Sequence, residues 1–143
     1  GLPTPIVSSA GALVDSLHAM GAKKVSMICP SMKPLTKRVV DYIEIEGIEV
    51  QDFMALEIQN NLQVAAQDPN APAELWKRLD ATGLNAIVAS ACVQMPSLPS
   101  IEKIEKASGI PTISAAVATT YEILNTLKLD PIAPGGGYLL SQK

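Results

Sequence analysis

Two spacings of apolar residues alternate along the chain and divide it into helices and strands. Ala12, Leu13, Leu17 and Met20 recur at the interval of one helix face, with Ser9 as a candidate N-cap and Gly21 as the stop. Lys24–Cys29 is a short apolar run closed by Pro30, the pattern of a buried strand. Leu35, Val39, Val40, Tyr42 and Ile43 return to the helical interval as far as Gly47, and strand character resumes from Ile48 to Met54. A polar stretch around Asn60 and Asn61 follows. Pro72 then opens a short helix with Leu75, Trp76 and Leu79, ending near Gly83, before a strand from Asn85 to Ser90. Ile101, Ile104 and Ala107 mark the next helix, closed by Gly109; a strand from Ile110 to Ser114 and a last helix from about Ala116 to Leu127 complete the pattern.

Strands that are apolar on both faces and separated by helices imply a parallel sheet covered on two sides. The expected fold class is therefore α/β: an open parallel sheet of about four strands with helices on both faces, in one domain spanning 1–143. Residues 131–143, with Pro134 and the glycines at 135–137, read as a loop and flexible tail. Those glycines lack the preceding strand and the following helix and lysine that a phosphate-binding loop requires.

Composition narrows the function classes. With 48% hydrophobic and 17% charged residues, the chain of 143 residues has the make-up of a packed core and not of a disordered tail. A net charge of -3 and 3% aromatic residues offer neither the basic footprint nor the stacking platforms of a nucleic-acid binder. No apolar run approaches the ~20 residues of a membrane helix. Cys29 and Cys92 are too few for a disulfide scaffold, and no secretory leader opens the sequence, so a cytoplasmic location is expected. The start at Gly1, running at once into Pro3 and Pro5, reads as a connection between elements and suggests a fragment holding part of a site.

In an open parallel sheet, ligands bind beyond the carboxyl ends of the strands, which directs attention to Cys29, Ser31, Asn60, Asn61, Ser90, Cys92 and Ser114. Cys92 follows a strand and precedes a helix expected to start between Ser97 and Ser100, a setting that favours thiolate. It reads equally as a small buried hydrophobe, the commonest use of a free cysteine. Cys29, held before Pro30, reads as the buried kind. Asn60 and Asn61 suit a turn or an amide donor to a carboxylate, and position alone leaves both readings open. His18, the only histidine, lies on the first helix and reads as exposed, which argues against a histidine relay. Two distant cysteines without a nearby histidine do not make a metal site, and none is expected.

The segment SACVQMPSL (90–98) resembles the C-terminal-half cysteine motif of the maleate cis-trans isomerases, within the aspartate/glutamate racemase superfamily. MKPLTKRVVDYIEIEGIEV (32–50), LEIQNN (56–61), SAAVATTYEIL (114–124) and PGGGYLLS (134–141) fit the same family in the same order, so the resemblance covers essentially the whole chain. The racemases usually carry a Cys-Thr pair where this chain has Cys92 and Val93. The resemblance implies a two-domain, cofactor-free isomerase of about twice this length that converts maleate to fumarate, with this chain as the second half and the N-terminal half missing. It further implies Cys92 as the thiol that handles a proton, with Asn61 and the backbone N–H of Val93 holding a carboxylate of a small dicarboxylate substrate. One position departs from the family: Ser31 stands where a tyrosine hydroxyl typically meets the substrate, and a serine reaches the same point only through water or a shifted ligand. An arylmalonate-type decarboxylase with a single proton-donating cysteine in this half is the alternative, followed by a noncatalytic module. An isolated half with an apolar partner surface is expected to form homo-oligomers.

Overall fold

The apolar run Lys24–Cys29 forms strand β1, and every residue in it after Lys24 is buried. A computed structural model of the protein describes residues 3–141. Around β1 lie helix α1 (Ser9–Ala19), α2 (Lys33–Ile45), strand β2 (Glu49–Ala55), α3 (Asn61–Ala65), α4 (Pro72–Leu75) continued by a 3-10 turn (Trp76–Arg78), β3 (Ala86–Ser90), α5 (Leu98–Ser108), β4 (Thr112–Ser114) and α6 (Ala115–Thr126).

The four strands are parallel in the order β2-β1-β3-β4. The chain moves outward one way from β1 to β2 and the other way from β3 to β4, so the order reverses between β1 and β3. Right-handed crossovers then place α2 on one face and α4 and α5 on the other. The packing follows this division: α1 lies against α6, α4 against α5, and Leu13 of α1 shares a cleft with Val39, Tyr42 and Ile43 of α2. The α/β class and the four-stranded parallel sheet read from the sequence are both present.

Strand alternation divides the core. Val25, Met27 and Cys29 join the main cluster with Leu13, Leu17 and Ile43, whereas Ile28 joins Val64, Leu79 and Met95 in a second cluster. Cys29, only 1% exposed, is thus the buried hydrophobe expected of it.

Local differences from the sequence reading have local causes. The cap of α1 is Ser8 and not Ser9, because the Ser8 hydroxyl accepts a hydrogen bond from the Gly11 N–H at 3.1 Å. The last strand begins at Thr112 and not Ile110; Pro111 has no N–H to give, although its carbonyl still accepts from Ile87 at 2.9 Å.

The flexible tail needs correction. Residues 131–141 form neither helix nor strand, but Gly136, Gly137, Leu139 and Leu140 are buried. Oε1 of Glu105 accepts from both the Thr112 and Tyr138 N–H groups at 2.9 Å, tying this segment to α5 and β4. The glycines serve close packing here, since a Cβ at Gly136 would come 2.5 Å from Cδ1 of Leu140. Residues 142 and 143 of that expected tail lie outside the described residues.

Candidate active site

The strand order reverses between β1 and β3, and in open parallel sheets ligands bind outside the carboxyl edge at such a point. Cys92 lies there, two residues beyond β3, half-buried. Its turn is fixed on both sides. The Ser90 hydroxyl donates to the Cys92 carbonyl at 2.8 Å and accepts from the Cys92 N–H at 3.3 Å. Ala91 N–H donates to the Ile28 carbonyl at 2.9 Å, extending the β1–β3 ladder, and Met95 N–H donates to the Cys92 carbonyl at 3.3 Å. Met95 is 1% exposed and anchors the turn in the second core cluster, against which Cys92 also packs. The next helix, α5, starts at Leu98, within the expected window.

Of the two asparagines, only Asn60 makes a local turn contact through its side chain. Oδ1 of Asn60 caps α3 by accepting from the Leu62 N–H at 2.8 Å. Asn61 is the first residue of that helix; its side chain is exposed and has no hydrogen-bond partner among the described residues. Buried Val64 roots α3 in the cluster shared with Cys92 and Met95. Across the gap, Nε2 of Gln94 donates to the Asn61 carbonyl at 3.0 Å, so the segment carrying Asn61 is tied to the cysteine turn. Val93 is 48% exposed beside Cys92 and lines a largely apolar cleft of about 340 Å³ with Leu98, Val117 and Leu140. Its N–H has no backbone partner among the described residues.

Ser31 lies at the same edge, on the β2 side of β1. Its carbonyl accepts from the Glu57 N–H and from the Thr36 hydroxyl, each at 3.2 Å. Together with bonds from Leu56 to Cys29 and from Ile58 to Pro30, this carries the β1–β2 pairing beyond both strands and leads the chain to Asn60. Glu57 bends that path with φ +56°, a left-handed conformation that costs a non-glycine residue about 1–2 kcal/mol. Glu57→Gly relieves this strain but adds unfolded-state entropy. The expected net gain is up to about 1 kcal/mol, read as a higher urea midpoint with an unchanged slope.

The four residues singled out by sequence, Cys92, Asn61, Val93 and Ser31, thus all occupy the carboxyl edge, with Cys92, Val93 and Asn61 joined through the Gln94 bond. His18 is exposed near the end of α1, which leads into the amino end of β1 and so lies at the opposite edge of the sheet. Among the described residues, no group of three or more His, Cys, Asp or Glu side chains is arranged to hold a metal ion. No helix among them is long and apolar enough to cross a membrane. Sequence reasoning missed two contributors, the fixing role of Ser90 and the link through Gln94. A serine ending a buried strand was a readable hint of the first; a glutamine in a turn gave none of the second.

The profile of the arylmalonate decarboxylase family matches residues 1–140. The chain belongs to the arylmalonate decarboxylase family. Within the similarity that accompanies this membership, the maleate isomerase of Geobacillus stearothermophilus is 50% identical over 143 residues, covering 100% of this chain and 57% of the relative. Among solved structures, a cysteine-to-alanine variant of the maleate isomerase of Pseudomonas putida S16 with maleate superposes with a TM-score of 0.94 at 54% identity, covering 96% of this chain and 55% of that one. A cysteine-to-serine variant of the Nocardia farcinica maleate cis-trans isomerase, with a covalently bound succinylcysteine intermediate, gives 0.92 at 43% identity, covering 95% of this chain and 56% of that one. This member of the arylmalonate decarboxylase family spans about half the length of the curated relatives it matches.

Proposed function

We propose that this chain is the half of a maleate isomerase that carries the proton-handling thiol, and that the remaining half supplies a second, nucleophilic cysteine. The observation that carries the reading is Cys92: a half-buried thiol at the strand-order reversal, on a turn fixed by Ser90 and Met95 and tied to the segment of Asn61. Identity of 50% to a maleate isomerase over the full chain supports the substrate class, and the succinylcysteine found in the Nocardia relative supports a covalent sulfur adduct.

The chemistry balances without an outside reactant. The partner half's thiolate adds to one alkene carbon of maleate; a C–S bond forms, the π bond breaks, and its electrons move to the adjacent carbon. The Cys92 S–H delivers a proton there and becomes a thiolate. The former double bond, now single, rotates. The Cys92 thiolate then removes a proton from the same carbon, the C–H electrons become the new π bond, the C–S electrons return to the other half's sulfur, and fumarate leaves with that sulfur again a thiolate and Cys92 again a thiol. The Asn61 amide and the Val93 N–H hold a carboxylate, and being neutral they bind the dianion without pairing with the thiolate. Ser31 completes the edge with a short hydroxyl that reaches the substrate through water.

The test is turnover by the full-length protein that contains this chain. Maleate incubated with it yields the fumarate olefinic proton resonance with no added cofactor. Loss of carbon dioxide from phenylmalonate, without fumarate formation, overturns the isomerase reading in favour of a decarboxylase.

A further inference from the structure

Asn61 has weak local support. The helix it opens has five residues, too short to persist by itself in water. The cap from Asn60 and the burial of Val64 hold its axis to the core, but neither fixes its first turn against Cys92. The contact that does so comes from 33 residues along the chain: Nε2 of Gln94 to the Asn61 carbonyl, 3.0 Å. Gln94 itself is exposed and stands one residue before buried Met95, on the turn already fixed by Ser90. Its side chain therefore extends from a rigid base and ends on the backbone of the residue assigned to the carboxylate.

We infer that Gln94 is a positioning residue for substrate binding: it sets the separation between the carboxylate-binding amide of Asn61 and the thiol of Cys92. The inference rests on the proposed isomerase reading for its kinetic consequence but on geometry alone for the tether. Gln94 does not touch the reacting carbons, so it acts through Asn61. Removing the donor lets the start of α3 drift, which weakens the grip on the dicarboxylate and leaves the proton chemistry of the thiol as it was.

Gln94→Met in the full-length protein keeps the side-chain length and removes the donor. One lost hydrogen bond is expected to raise KM for maleate about three- to tenfold, with kcat within about twofold, an unchanged pH profile and an unchanged thermal midpoint. In a double-mutant cycle with Asn61→Ala, the second substitution adds nothing, because both act on one interaction. Amide hydrogen exchange over residues 60–66 becomes faster in Gln94→Met, a readout that requires no activity. A KM within twofold of wild type, or kinetic effects that multiply in the double variant, overturns the positioning role. Unchanged exchange over residues 60–66 overturns the tether itself. If the wild-type protein fails to isomerise maleate, the substrate reading falls, and the exchange experiment still decides the tether.

Discussion

Cys92→Ala in the full-length protein is expected to lower kcat for maleate by about 10²–10⁴-fold, the usual worth of a positioned acid–base group. The loss belongs to the chemical step. Alanine at a half-buried turn position removes one sulfur from the edge of the second core cluster, while the bonds that shape the turn run through Ser90, Ala91 and Met95 and stay in place. The circular dichroism spectrum should be unchanged and the melting temperature lowered by no more than a few degrees. Wild-type turnover in a folded Cys92→Ala protein removes the thiol from the mechanism. Equal loss of activity and fold assigns it to packing.

The largest expected effect on stability comes from Gly137→Ala, in the segment first read as a flexible tail. Gly137 has φ +68°, and a Cβ there would lie 2.5 Å from Cγ2 of Ile101 and 2.9 Å from Oε1 of Glu105. The left-handed backbone costs alanine about 1–2 kcal/mol and overpacking a fixed site a further 1–3. The carboxylate oxygen that must move is the one that accepts from both Thr112 and Tyr138, so β4 and the closing loop loosen together. The sum is roughly 2–5 kcal/mol, read from the shift of the urea midpoint. Gly135→Ala is the control: φ is +79°, but the nearest atom is Cγ of Leu98 at 3.9 Å, so only the backbone cost of about 1–2 kcal/mol is expected. Equal destabilisation by the two substitutions means that the Ile101–Glu105 contact carries no weight.

These two positions also show what the sequence could and could not disclose. The fold was legible because burial of a parallel sheet writes itself into runs such as Lys24–Cys29 and Ala86–Ser90, and because Gly21, Gly47 and Gly109 punctuate the helices between them. Cys92 was legible as a strand-end thiol, and the resemblance supplied the role proposed for it. The packed loop was not: three glycines and a proline have the composition of a mobile segment, and only the long-range partners Ile101, Glu105 and Thr112 make them a close fit. Helix α3 was hidden for a related reason. Asn60 and Asn61 suit a turn, and five residues are too few to print a helical period, so the element is defined by its cap and its neighbours.

The tie between Gln94 and Asn61 has a consequence for synthesis of the chain. A ribosome delivers Asn61 well before it delivers Gln94, 33 residues later, and Met95 arrives after both. Until then the segment of Asn61 is held only by the Asn60 cap and the burial of Val64. The nascent protein can therefore complete its β1–α2–β2 unit early, yet the edge that brings Asn61 and Cys92 together is joined only when the third strand slots in beside the first, so the candidate site is among the last features to form.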